Sequence, residues 1–421
     1  MGMTITEKIL AKKGGVKTVA PGDITVVSVD CIAFNDIISY FLGDRELLKM
    51  SDPDKIVAVF DHMVPPPTAR AAAEQEVGRE FVKRFGIKRF HDMGRDQGIL
   101  HSIIAENGYA LPGTVLISND SHACSSGVFN CAARAVGRPD MIYGVATGNA
   151  WFKVGETIRY ELEGRLSRSV SMKDVFFQLA GQYGDHSNMN VEYGGSALPY
   201  LNISARQTLT TMSAELSADF AVFEPDDVMF DHLLTVKAAP YEAQYPDRDA
   251  QYHDRRVVDL GSIGPLVALP DAVINNTVKV EEAEGTPINR AFLGSCANGM
   301  LDDIRIAAEV MQGKLVAPGV RFVVSPASQN IYRQALRAGY IGTLVDAGAI
   351  VTSSTCGACG GFHSGVLGPN DVCITTSTRN FKGRMGDPNA RIYMGSPATV
   401  AAAAIAGVIT HPGNFLTGAA A

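Results

Sequence analysis

Short runs of apolar, β-favouring residues recur along the chain and stay apolar over most of their length instead of alternating. The clearest are KIVAVFDH (55–62), GTVLISNDSH (113–122) and MIYGVATG (141–148), then VRFVVSPAS (320–328), AIVTSSTC (349–356), DVCITTST (371–378) and RIYMGSPA (391–398). A strand with one wet face alternates; a continuous apolar run is what a strand covered on both faces of a parallel sheet looks like. Helical patterns lie between them, such as TARAAAEQEVGREFVKRF (68–85), DDIRIAAEVMQG (302–313) and SQNIYRQALRAG (328–339). The alternation predicts α/β layers, in which chemistry collects in the loops beyond strand C-termini. Asp61-His62, Asp120-Ser121-His122 and Cys356 each close such a run.

At 421 residues the chain exceeds one ordinary core and predicts two to three domains. Boundaries are expected near 160 and 285. Residues 1–160 then form an α/β domain with the His/Asp motifs, and 161–285 a second α/β domain. Residues 286–421 form a third, with the clustered cysteines and an arginine motif. Within the middle part, 159–175 reads as a hairpin edge followed by a new helix, and the polar, Tyr-rich 237–256 as a surface connection. The Ala-rich stretch 398–409 is about half a membrane span and reads as a buried helix.

A 46% hydrophobic and 19% charged composition is that of a packed soluble protein. The formal charge of −7, with no basic stripe, argues against nucleic acid as a partner. No secretory pattern opens the chain and no segment is long enough for a membrane span. Seven cysteines in such a setting predict reduced thiols and a cytoplasmic protein.

Three of those thiols stand apart from the rest. Cys356 and Cys359 lie in SSTCGACGG (353–361), and Cys296 in FLGSCANGMLDD (292–303), a strand-to-helix turn. One cysteine plus a CxxC pair, all in Gly/Ser/Ala loops, suits a cluster with three protein ligands. A structural zinc site would want a fourth, for which His363 is the candidate, although its place four residues after Cys359 is tight. A thioredoxin-like pair would sit near the start of a small βαβ unit. Unrelated buried thiols are the default reading for Cys31, Cys124, Cys131 and Cys373. Spacing alone leaves these readings open.

Imidazoles next to carboxylates form the second constellation. Asp61-His62 in FDHMVPP, His101 in DQGILHS and Asp120-Ser121-His122 in SNDSHACSSG sit at strand or loop ends, and an adjacent acid can fix an imidazole's tautomer and pKa. His91, His186, His232, His253 and His411 lack such company and read as structural or solvated. Arg379 and Arg384, in STRNFKGRMGD (377–387), are guanidinium forks suited to a carboxylate, though a surface loop is the commoner reading of such a pair.

Taken in order, FDHMVP, QGILH, SNDSHACSSG, TTMSAE, GSCANG, TCGACGG and TSTRNFKGRMG resemble the motifs of the aconitase family. The likeness is to the branch formed by large subunits of isopropylmalate isomerases and homoaconitases, and it spans nearly the whole chain. The resemblance implies an aconitase-like iron–sulfur fold of α/β/α three-layer domains with mostly parallel sheets. It further implies a [4Fe–4S] cluster on Cys296, Cys356 and Cys359, with one iron left open as a Lewis acid. Asp61, His62, His101, Asp120, Ser121 and His122 would handle the hydroxyl's proton and order water. Glu215, in TTMSAE, would join that network, and Arg379 and Arg384 would bind a substrate carboxylate.

The implied activity is a hydro-lyase that eliminates and readds water on hydroxy di- or tricarboxylic acids. 3-Isopropylmalate is the first substrate expected, followed by homocitrate and dimethylmalate- or citramalate-type acids. A non-catalytic iron or oxygen sensor is the reading from another class, and the acidic charge argues against RNA as its partner. Single-chain members of the family continue into a swivelling domain; none follows Ala421, so a separate small subunit is expected, with little activity without it. Four positions depart from the family's usual residues: Thr211 and Thr378 stand for Asn, Asn119 for Gly and Ala123 for Thr.

Overall fold

In the computed structural model, which describes residues 2–36 and 47–416, the apolar runs become strands wherever their burial is two-sided. Ile56–Val59 and Val115–Ser118 are buried at every residue and flank Cys31–Phe34, itself fully buried. With Arg89–His91 and Ala132–Ala135 at the edges they form a five-stranded sheet, parallel at every pairing. A second sheet joins Ala221–Phe223, Met189–Gly194, Glu156–Glu163 and Asp254–Asp259, again all parallel. The third has seven strands; Arg391–Gly395, Val372–Thr375, Arg290–Leu293, Arg321–Val324 and Ile350–Val351 run parallel, with two antiparallel strands added beside Arg391–Gly395. A small antiparallel pair, Ile24–Ser28 with Asn149–Lys153, completes the sheets.

Helix boundaries follow local chemistry. Thr68 accepts from the Ala71 amide at 3.1 Å to open Ala69–Phe85, and Gly86 closes it in the left-handed region. Ser328 caps Gln329–Arg337 in the same way. The Ala-rich stretch forms the buried helix Pro397–Ala406. No helix among the described residues is long and apolar enough to cross a membrane.

Two local expectations differ from what forms. Residues 141–148 are not a strand: 141–147 belong to the helix Arg138–Thr147, which has Pro139 in its first turn, buries Met141, Gly144 and Val145 and is closed by Gly148. That three- and four-residue spacing is helical, and a short apolar run cannot reveal it by composition alone. Residues 159–163 do not form a hairpin edge; they belong to Glu156–Glu163, which lies between two parallel neighbours. Its charges misled the reading, because Arg159 is buried against Glu161 at 3.0 Å and Glu224.

Both large sheets place their chain reversals where a site can form. In the five-stranded sheet the order turns back between Cys31–Phe34 and Val115–Ser118, and in the seven-stranded sheet between Arg290–Leu293 and Val372–Thr375. A crevice opens beyond the strand ends at such switch points. The two sets of loops meet: the Asp61 carbonyl accepts from the Cys356 amide and the Thr355 hydroxyl, each at 2.9 Å, and the Ile99 amide donates to Ala327 at 2.7 Å. Gly98 permits this approach, since a Cβ there would lie 2.6 Å from the Ser328 Cβ.

Candidate active site

The first wall comes from the five-stranded sheet. Beyond Cys31–Phe34, Asp36 turns its buried carboxylate onto the amides of His62 and Met63, both at 2.9 Å. That fixes the turn after Ile56–Val59, where Asp61 Oδ1 lies 2.6 Å from His62 Nδ1 and Asp61 Oδ2 accepts from the Leu100 amide at 2.8 Å. Beyond Val115–Ser118, Asp120 is the hub. Its Oδ1 lies 2.8 Å from His101 Nε2 and accepts from the His122 amide at 2.9 Å, while Oδ2 lies 3.6 Å from His62 Nε2. His122 reaches the other way, its Nε2 2.8 Å from Glu215 Oε1.

Sulfur supplies the second wall. Cys296 follows Arg290–Leu293 in a tight turn where Ser295 adopts φ 79°, a conformation L-residues rarely take. Cys356 leads into a single turn, Gly357–Gly360, that contains Cys359, with the Cys359 amide bonded to the Cys356 carbonyl at 2.9 Å. Gly361 closes that turn at φ 71°, and a Cβ on it would stand 3.0 Å from the Arg384 carbonyl. The loop after Val372–Thr375 brings Thr378 Oγ1 to 3.8 Å from Cys359 Sγ and Arg379 Nε to 2.8 Å from Glu215 Oε1.

Between the walls is a cavity of about 230 Å³. His62, His101, Asp120, Ser121 and His122 line one side of it. Cys296, Cys356, Cys359, Arg379 and Arg384 line the other. Asp61 and Glu215 stand behind this lining and hold it, Asp61 through His62 and Glu215 through both His122 and Arg379. Ser121 is exposed, with Oγ 3.4 Å from His122 Nδ1. His363, the candidate fourth zinc ligand, is outside the lining, its ring held by Thr355 at 3.3 Å and Ser364 at 2.7 Å.

Asp36 and Asn35 escaped the sequence reading, although they follow the apolar run CIAF (31–34) as Asp61 follows its own. Asn119 pairs with Asn35 across the switch point, donating from Nδ2 to Asn35 Oδ1 at 2.9 Å and accepting at Oδ1 from the Asn35 amide at 3.2 Å, so this departure from glycine bridges the two strand ends.

Charge in the cavity is polarised. Burial alone would lower the His62 pKa, but Asp61, Asp36 and Asp120 together raise it to about 10. Burial would likewise lift Asp120, yet His101 and His122 hold it well below the ordinary carboxylate range. Burial and the neighbouring negative groups push the thiols of Cys296 and Cys356 well up. At Cys359 burial is outweighed by Arg384, Thr378 and His122, and the thiol is lowered.

The His62 shift has a testable sign. A group bound more tightly to its proton in the folded state stabilises fully below its unfolded value of 6.5, and loses that contribution as pH rises through about 10. The stability difference between the apo-protein and its His62→Asn variant, measured by urea unfolding, should therefore be largest near about pH 6 and shrink toward about pH 10. A difference independent of pH would mean that His62 is not held as the cation.

Residues 44–407 match the model of the aconitase family (aconitate hydratase). The 3-isopropylmalate dehydratase large subunit of Mycolicibacterium smegmatis is 50% identical over 410 residues, covering 97% of each chain. That of Sulfurisphaera tokodaii is 40% identical over 99% of this chain and 100% of its own. A probable methanogen homoaconitase large subunit of Methanothermobacter thermautotrophicus is 40% identical over 97% of each.

Proposed function

This chain belongs to the aconitase family, and we propose that it is the large subunit of an iron–sulfur hydro-lyase acting on 3-isopropylmalate, with a separate small subunit. The observation that carries the proposal is the convergence of three thiols, two arginines and three imidazoles, each of the three bonded to a carboxylate, on one cavity.

The residues present fit a [4Fe–4S] cluster. Three free thiols line one cavity, and the thiol of Cys359 is lowered by Arg384, Thr378 and His122, so the donor set is that of a soft thiolate site. Thr211 Oγ1 and Arg384 Nε are buried without a hydrogen-bond partner among the described residues, and the Thr378 hydroxyl lies 3.8 Å from the Cys359 sulfur. Cys296, Cys356 and Cys359 would hold the cluster, leaving one iron without a protein thiolate. When bound it supplies a Lewis acid that makes a substrate hydroxyl a better leaving group.

The protein's own groups have distinct parts in this reading. Arg379 is fixed by Glu215 and, with Arg384, orients a substrate carboxylate. Asp120, as the carboxylate, sets the tautomer of His101 and helps keep His62 protonated, and these two imidazoles carry the proton exchanged at the substrate hydroxyl. His122, braced by Glu215, presents a second proton carrier beside Ser121. Phe362, 39% exposed and edge-on to His62 at 5.5 Å between ring centres, gives the cavity an apolar surface. A branched alkyl substituent suits that surface better than a third carboxylate, which favours 3-isopropylmalate over homocitrate.

Co-purification with a 3-isopropylmalate dehydratase small subunit, anaerobic reconstitution and assay against a panel of hydroxy acids test this. Turnover of 3-isopropylmalate well above that of homocitrate, and little without the small subunit, is expected. Preference for homocitrate would move the chain to the homoaconitase activity. An iron-loaded complex that turns over no hydroxy acid would remove the catalytic reading.

A further inference from the structure

Lys173 is the second residue of the helix Met172–Tyr183 and is completely buried. Its position is costly in three ways. An ammonium out of water is penalised unless compensated, and a cation at a helix N-terminus opposes the helix dipole. Moreover, its hydrogen-bond partners are neutral: the carbonyls of Thr376 at 3.1 Å and Ser377 at 2.9 Å, and the Met212 sulfur at 3.2 Å. No role in the reaction described above uses it.

What surrounds that ammonium gives the cost a purpose. Thr376 and Ser377 open the loop whose next two residues are Thr378, 3.8 Å from Cys359 Sγ, and Arg379, bonded to Glu215. Thr376 also ties this loop to the Cys296 turn, its Oγ1 accepting from the Gly294 amide at 2.9 Å and donating to the Gly294 carbonyl at 3.1 Å. Burial lowers the Lys173 pKa to about 8, and the groups that would oppose this most as anions are the thiolates of Cys359 and Cys296, ahead of Glu215 and Asp303.

We infer that Lys173 is a positioning residue of the sulfur site. Its buried ammonium clamps the Thr376 and Ser377 carbonyls, so that Thr378 faces the Cys359 sulfur and Arg379 faces Glu215. It also brings a cation to the loop that carries Thr378 against Cys359 and that is tied to the Cys296 turn. The inference rests on the reading of these cysteines as cluster ligands. A cluster wrapped by thiolates is anionic, and charge and hydrogen bonding around its sulfurs set its potential and retention.

The full chain and its Lys173→Met, Lys173→Gln and Lys173→Arg variants would be reconstituted anaerobically with iron and sulfide. Two quantities are then measured: the midpoint potential, by titration followed with electron paramagnetic resonance, and the rate of iron loss to a chelator. The neutral Met and Gln variants should shift the potential downward and lose iron roughly ten-fold faster, the scale of an outer-shell deletion. The Arg variant should stay near wild type in both. Neutral variants with wild-type potential and retention overturn the inference. So do equal shifts in all three variants, because the lysine would then serve packing alone, and so do neutral variants that fail to fold while the Arg variant folds, because the ammonium would then serve the fold and not the sulfur site. A wild-type chain that takes up no iron overturns the cluster reading itself, a result recognisable without any variant.

Discussion

Replacing Cys356 by serine should abolish the broad visible absorption of the reconstituted protein and cut turnover of the complex by at least about a thousand-fold. The apo-protein's stability should change by no more than about 1 kcal/mol. The reasoning starts from position. Cys356 is only half-buried, lies on the cavity and has its amide bonded to the Asp61 carbonyl at 2.9 Å, a contact that serine keeps. Its sulfur lies 3.9 Å from Asp61 Oδ2 and Cys356 only flanks the core around Leu293 and Val324. Little packing is therefore lost, while a soft thiolate ligand becomes a hard alcohol that binds iron poorly.

Cys131 provides the contrast. It is completely buried in the core around Leu100 and Val128 and takes a hydrogen bond from Thr114 at 3.4 Å. Serine there should cost about 1–2 kcal/mol of stability and leave the absorption intact. The two substitutions thus separate ligand from core cysteine by opposite patterns. A Cys356→Ser protein with the full absorption would remove Cys356 from the ligand set.

How much of this could be read from the chain depends on which interactions are local. Strands such as Ile56–Val59 and Val115–Ser118 were legible because two-sided burial writes itself as an unbroken apolar run. The groups after them, Asp61-His62 and Asp120-Ser121-His122, were legible because α/β architecture puts chemistry at strand ends. The partners of those groups were not legible. Adjacent residues suggested that His122 would be governed by Asp120, yet its ring faces Glu215, 93 residues away, while Asp120 takes His101. Such choices depend on how switch-point loops from separate sheets meet, which no spacing encodes.

Lys173 shows the same limit from the other side. In sequence it is an ordinary lysine in an ordinary capped helix start, SMKDV, and only the packing of that helix beneath the 376–378 loop makes it conspicuous. The helix Arg138–Thr147 was misread for a different reason: its apolar residues are few and close together, so period 2 and period 3.6 were not distinguishable in the run.

Asp120→Asn should lower kcat by about 10³- to 10⁴-fold while leaving KM, iron content and the visible absorption close to wild type. The substitution preserves size, so the effect is in charge and donor pattern. In the native site both carboxylate oxygens are acceptors: Oδ1 serves His101 Nε2 and the His122 amide, and Oδ2 faces Asn35 Nδ2 at 3.4 Å and His62 Nε2 at 3.6 Å. An amide has only one acceptor oxygen, so its NH2 group must face donors on one side or force an imidazole into the other tautomer. If the oxygen stays with His101 and the His122 amide, the NH2 opposes Asn35 and His62. If the amide turns, His101 must present a bare nitrogen. Asp120 is also one of the charges that raise the His62 and His122 pKa values, so both imidazoles bind protons less tightly once it is neutral. Proton transfer at the substrate hydroxyl then suffers twice, in tautomer and in proton affinity, whereas Arg379 and Arg384, which carry substrate binding in the proposed mechanism, are untouched. That is why kcat and not KM should respond. Turnover within about ten-fold of wild type would show that Asp120 only braces the loop, and the proton-handling role would pass to the His122–Glu215 pair.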